Sequence, residues 1–170
     1  MPVDKRVKRI VEFAFLMAIA LVLSYLESLI DLSSILPGVK IGISNVVLTF
    51  VLYQYGDFAT FGFGLSKSIL SMFFLGRLST LFYSLTGMVF AVIAMIIIHR
   101  LPVFSPLGVN VGGAVMHVVG QMCAAVYVLG NVSVLRFVPF LIITGVLSGI
   151  FTYIPLRALW KISTHVHQKF

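Results

Sequence analysis

Apolar residues run along this chain in long blocks, interrupted by short clusters of charges, prolines and turn-forming residues. Splitting the chain at those interruptions leaves six apolar segments, at 10–30, 41–55, 58–75, 78–98, 107–129 and 137–160. A helix crossing the hydrocarbon core needs about 20 mostly apolar residues, and in lipid a helix satisfies its own backbone polar groups. The pattern therefore predicts an all-α integral membrane protein: a compact bundle of about six transmembrane helices forming a single membrane domain over 1–170. The second segment is short. The first, at about 21 residues, is longer than the apolar core of a cleaved signal peptide and is expected to stay as a first helix. Between the first two segments, residues 31–40 include Leu-Ser-Ser-Ile-Leu-Pro-Gly, too turn-prone to continue a helix and too apolar for an idle linker. This stretch is expected to lie on the membrane surface or to fold back over a cavity.

Composition strengthens the membrane reading. Of 170 residues, 60% are hydrophobic and 10% charged, whereas a soluble domain carries roughly a quarter charged residues. The formal charge of +7 is the balance of twelve Lys and Arg against five Asp and Glu; the basic residues are scattered, clustering mainly in the first ten positions and near the C-terminus. That distribution points to membrane orientation and lipid contact, with no nucleic acid as partner. With six crossings, Lys5, Arg6, Lys8, Arg9, Arg100, Arg157, Lys161 and Lys169 fall on one side, and Lys40, Arg77 and Arg136 on the other. Basic residues concentrate on the cytoplasmic face, so both termini of this multi-pass chain are expected in the cytoplasm, with the chain in the plasma membrane. Cys123 is the only cysteine and cannot form an intrachain disulfide.

Small residues indicate where helices meet, because lipid offers no hydrophobic force between helices. Strips through Thr80, Ser84, Gly87, Ala91 and Ala94, through Gly113, Gly120 and Ala124, and through Thr144, Ser148 and Thr152 suit internal packing. Ala14 and Ala18, one turn apart on the first helix, are set apart as a candidate docking face for a partner.

Ionisable groups at membrane depth are costly and should meet a partner or a wet cavity. Lys67 shares a helical face with Thr60, Gly64 and Ser71; His117 and Gln121 share one with Asn110 and Gly113. These strips are either a polar pocket opening outward or interhelical glue. Glu27 and Asp31, at the outer end of the first helix, are expected to be solvated helix-end charges. Lys40 and Asn45, after the Pro37-Gly38 turn, are candidates for a lid. No aspartate cluster suited to magnesium and diphosphate, no phosphate-binding Gly-rich loop, no metal-spaced His/Cys group and no nucleophile elbow occurs in the sequence. The expectation is a protein with no catalytic residue, metal or cofactor of its own.

Three stretches carry a family resemblance: Pro37-Gly-Val-Lys-Ile-Gly-Ile-Ser-Asn45, Leu78-Ser-Thr-Leu-Phe-Tyr-Ser-Leu-Thr-Gly87 and Gly112-Gly-Ala-Val-Met-His-Val-Val-Gly-Gln121. In order and over nearly the whole chain they resemble heptaprenyl diphosphate synthase component I, also called Gx transporters. That family is similar to the S components of energy-coupling factor (ECF) transporters, six-helix vitamin-uptake subunits. The resemblance implies a binding site in the outer half, closed by the first loop, here Pro37 to Asn45, with Lys40 and Asn45. It implies polar ligand contacts from His117 and Gln121. It also implies that Ala14 and Ala18 meet a transmembrane coupling subunit, which works with two ATPase subunits. In the family pattern Asn often follows the histidine, where this chain has Val118, and Arg often stands where this chain has Lys67.

The expected function is therefore substrate capture from outside as an S component of an ECF-type ABC importer. The substrate would be a small vitamin-like or isoprenoid/quinone-precursor-like molecule. Lys67, Arg77 and His117 suit an acidic or phosphate-bearing group, and the many aromatic residues suit a ring or isoprenoid tail. The alternative is a non-catalytic membrane subunit associated with polyprenyl diphosphate synthesis.

Overall fold

The computed structural model describes residues 5–29, 42–75 and 79–168. They form six α-helices: α1 (Lys5–Ser28), α2 (Val46–Tyr55), α3 (Asp57–Leu75), α4 (Ser79–His99), α5 (Pro106–Leu129) and α6 (Val138–Gln168). Two 3-10 turns, Ile43–Asn45 and Val132–Phe137, lead into α2 and α6, and no strand occurs among the described residues. Among the described residues, four spans are long and apolar enough to cross a membrane: Arg6–Ser28, Leu81–His99, Pro106–Leu129 and Val132–Lys161.

Helix ends follow local chemistry. Ser105 caps α5, its side chain accepting from the Gly108 N–H, and Pro106 fills the first turn, where a missing N–H is harmless. Gly130, at φ +59°, ends α5 in the left-handed conformation that side chains resist. At both ends of the chain the helices outrun the apolar segments: α1 begins at Lys5 and α6 continues to Gln168. A break in hydropathy marks the edge of the apolar zone, whereas helical hydrogen bonding can continue into water.

The second segment also departs from expectation. Gly42, at φ +88°, interrupts the helical path, a 3-10 turn follows, and α2 proper starts only at Val46. Its ten residues rise about 15 Å, half of a hydrocarbon core of about 30 Å. This short helix is the centre of the bundle, with every residue from Val46 to Leu52 buried. It therefore shows no amphipathic face, as expected of an element wrapped on all sides.

Other helices close around it. α4 and α5 share the most extensive contact, followed by α5 and α6, while α1 packs on α3 and on the Ile43–Asn45 turn. Glycines let the backbones approach: a Cβ at Gly120 would lie 2.7 Å from the Thr86 carbonyl oxygen, and one at Gly149 would lie 2.6 Å from Val111 Cα.

One end of the bundle is marked by polar and aromatic contacts. Tyr55 donates to Glu12 at 2.6 Å, and Arg100 pairs with Asp57 at 2.5 Å. Tyr53 packs edge-on against His99 and Trp160. These contacts gather the early turns of α1, the α2–α3 junction, the end of α4 and the Trp160 region of α6. The basic residues Arg6, Lys8, Arg9, Arg100, Arg157 and Lys161 belong to this end. The Gly42–Asn45 turn lies deeper, one α2 length away.

Candidate functional site

Two polar regions lie inside the bundle. The first is a clamp on Asn110 of α5, 2% exposed. Its side-chain oxygen accepts from Thr49 of α2 at 2.8 Å, and its amide nitrogen donates to the Gly149 carbonyl at 2.7 Å and to Thr152 of α6 at 2.9 Å. The four groups are neutral and use one another's hydrogen-bonding capacity, so this half of the α5 strip ties three helices together.

The second region surrounds Lys67 of α3, 6% exposed and ten residues, about 15 Å, along α3 from Asp57. Lys67 Nζ donates to Ser44 Oγ at 3.0 Å and to Asn45 Oδ1 at 2.8 Å. Opposite stands Glu27 of α1, 3% exposed, whose carboxylate accepts the Gly42 N–H. The turn at Gly42–Asn45 is thus held from α1 by an acid and from α3 by a base. Between them lies a cavity of about 20 Å³, walled by Ser24 and Glu27 of α1, Gly42 and Ser44 of the turn, Lys67, Ser68 and Ser71 of α3, Ser84 of α4 and His117 of α5. That volume accommodates roughly one water-sized group, far below the several hundred Å³ of a cofactor-sized pocket. A larger ligand needs one of these walls to move.

Sequence candidates divide accordingly. Lys67 and His117, on different helices, meet at this cavity, and Asn45 joins them through Lys67. Asn45 Nδ2 is buried with no hydrogen-bond partner among the described residues. Gln121 is fully buried but does not line the cavity; it packs beside His117 against α4, where a Cβ on Gly87 would lie 2.8 Å from His117 Cε1 and 2.9 Å from Gln121 Cγ. Ala14 and Ala18 are both exposed on α1, on a face shared with Val11, Phe15 and Val22. Lys40 and Arg77, with Asp31 and the Pro37–Lys40 part of the loop, lie outside the described residues.

Glu27 is the main correction. Its place near the end of the first apolar segment suggests a solvated charge, yet it is buried beside the base and the serines. The sequence held one signal for it: the buried α1 positions Leu16, Ala20, Ser24 and Glu27 recur at helical spacing, which puts Glu27 on the inward stripe. Ser24, Ser68 and Ser84 joined the site with no comparable signal, since serine packs between membrane helices in any case.

Chemically, the arrangement offers donors and acceptors of both charges around one small space, on a turn whose irregular backbone is paired locally: Asn45 N–H donates to the Gly42 carbonyl at 2.9 Å. No group of three or more His, Cys, Asp or Glu side chains suited to a metal gathers among the described residues.

Comparison with curated proteins and with solved structures returns no match. The family model described as heptaprenyl diphosphate synthase component I matches residues 16–159, from the fourth turn of α1 through the α6 residues beside Trp160. By that match over most of its length, the chain belongs to the heptaprenyl diphosphate synthase component I family.

Proposed function

We propose that this chain is a substrate-binding membrane subunit, an S component, of an ECF-type importer. It captures a small vitamin-like or isoprenoid/quinone-precursor-like molecule from outside and delivers it with a transmembrane coupling subunit and two ATPase subunits. It catalyses no reaction itself. It crosses the plasma membrane six times, with both termini cytoplasmic, the basic end of the bundle facing inward.

One observation carries this reading: a charged pair and an irregular turn, Glu27, Lys67 and Gly42–Asn45, enclose a polar cavity beside the half-length helix α2. Non-helical backbone at membrane depth is tolerated where it is buried in protein or lines a cavity, and intramembrane charges mark sites of function more often than of packing. Lys67, His117 and Asn45 are the ligand contacts, with Glu27 added to them; Gln121 backs His117; Lys40 and Arg77 are further contacts on this reading, as the sequence suggests. The exposed small residues Ala14 and Ala18 give α1 a shallow face on which a partner helix can approach closely.

A second reading is favoured by the family's description, which names a synthase component: a non-catalytic membrane subunit associated with polyprenyl diphosphate synthesis. Affinity purification of the intact chain from its native membrane, after mild crosslinking, separates the two. Recovery of a coupling subunit with ATPases, lost on replacing Ala14 and Ala18 by Trp, is the expected result. Recovery of a soluble prenyl diphosphate synthase instead would replace the first reading by the second.

A further inference from the structure

A hydroxyl inside a helix has a ready partner, the carbonyl three or four residues back along its own chain. Thr60, Thr86, Thr144 and Thr152 use it in this protein, as does Ser28 at the end of α1. The helical serines of the cavity do not. Ser24, Ser68 and Ser71 line it at 3%, 3% and 6% exposure, and half-buried Ser84 joins them from α4. None of the four makes a side-chain hydrogen bond among the described residues. Ser44, on the turn, differs in accepting from Lys67.

Placement adds to the contrast. Ser68 and Ser71 stand one turn apart on α3, Ser24 comes from α1 and Ser84 from α4, so three helices bring hydroxyls to one space of about 20 Å³. That space admits a single oxygen-sized group. A buried hydroxyl without a partner costs free energy, and close helix packing would be served by alanine, which is as small and a better helix former. The hydroxyls therefore add nothing to the ligand-free fold. What they can improve is the binding of an atom placed among them, the usual reason for a binding site to give up stability.

We infer that Ser24, Ser68, Ser71 and Ser84 form a recognition cup for one oxygen atom of the ligand, a terminal carbonyl, hydroxyl or oxoanion oxygen. Each hydroxyl has one proton to give, and the ligand oxygen accepts it. The serines also decide specificity: a molecule with a methyl group in that place leaves them unpaired, and a site built around hydrogen bonds rejects the analogue that lacks the polar atom. This inference rests on reading the cavity as the ligand site.

The test uses the full chain in mild detergent, with the small-molecule fraction of rich growth medium as the probe. After washing, native mass spectrometry reads the small molecule retained, and thermal unfolding is followed without the probe. Ser68→Ala with Ser71→Ala is expected to lower retention tenfold or more, while the unfolding temperature stays level or rises. Ser24→Ala repeats the effect from α1, and Ser66→Ala, at an exposed position of the same α3 helix, changes neither quantity. Undiminished retention by the serine variants overturns the inference, and if Lys67→Ala loses the molecule in the same assay the cavity remains a ligand site. A fall in the unfolding temperature, or failure of the serine variants to fold, shows the hydroxyls to be structural and overturns it too. A retained molecule that carries no terminal oxygen, by accurate mass and fragmentation, does the same. If the unmodified chain retains nothing, the reading beneath the inference falls as well.

Discussion

Asn110 and His117 stand on one polar strip of α5, two turns apart, and the structure gives them opposite environments. Asn110 sits among neutral groups that hydrogen-bond to it at 2.7–2.9 Å, across α2, α5 and α6. His117 borders a space between an acid and a base, against a turn of irregular backbone. A satisfied neutral network works as glue because nothing is left for a ligand to improve. On the proposed reading, the acid and the base beside the Gly42–Asn45 turn exchange their partners for a ligand's. The two regions thus separate polarity that is matched inside the bundle from polarity that comes with charge and space.

The clamp should show the largest effect on folding. Asn110→Ala removes the hydrogen bonds to Thr49, to the Gly149 carbonyl and to Thr152 at once, and a loss of about 2–3 kcal/mol of stability is expected. Thermal unfolding in detergent measures it, and ligand affinity of the folded fraction should not change. A stable Asn110→Ala protein with weakened binding would erase the contrast between the two regions.

Next comes Gly87, which touches the site from α4. A Cβ there would sit 2.8 Å from His117 Cε1 and 2.9 Å from Gln121 Cγ, so Gly87→Ala must push both side chains. Overpacking of this kind costs about 1–3 kcal/mol, and ligand binding should weaken with stability, since His117 is displaced toward the cavity. Unchanged binding, measured by isothermal titration with the small molecule that native mass spectrometry finds on the gently purified protein, would mean that the histidine's position is immaterial.

His117 and Gln121 then sharpen the comparison within a single turn. His117→Ala should weaken ligand binding roughly tenfold, about 1.4 kcal/mol, with little change in ligand-free stability. Gln121→Ala should do the reverse, lowering stability by about 1 kcal/mol and leaving affinity nearly intact. Equal loss of affinity in both would extend the site to Gln121.

The smallest effect is expected at the basic end. Arg100 and Asp57 form a pair whose arginine is 70% exposed, and Asp57→Asn should change stability by less than about 0.5 kcal/mol. A larger loss on chemical denaturation would show that this contact helps to set the α3–α4 arrangement.

Much of this could be read before any fold was known. Long apolar blocks in a chain with few charges admit only helices in a membrane, because no other open structure satisfies its backbone in lipid. Lys67 was legible for the same reason: a charge in the middle of an apolar block must meet something. Spacing placed Asn110, His117 and Gln121 on one face of α5.

Spacing could not say what each would face, since the neighbours change along a helix with every turn: Thr49 and Thr152 at one level, the Gly42 turn at the next, Gly87 of α4 beyond it. The sequence by itself determined the helical membrane class and the candidate base. Only the tertiary structure decided that Glu27 is buried, that α2 is a half-length central helix, and that the polar strip divides into clamp and cavity. Each of those depends on a contact between residues far apart in the chain, such as the Gly42 N–H brought to Glu27 fifteen positions away, and local patterning carries no record of it.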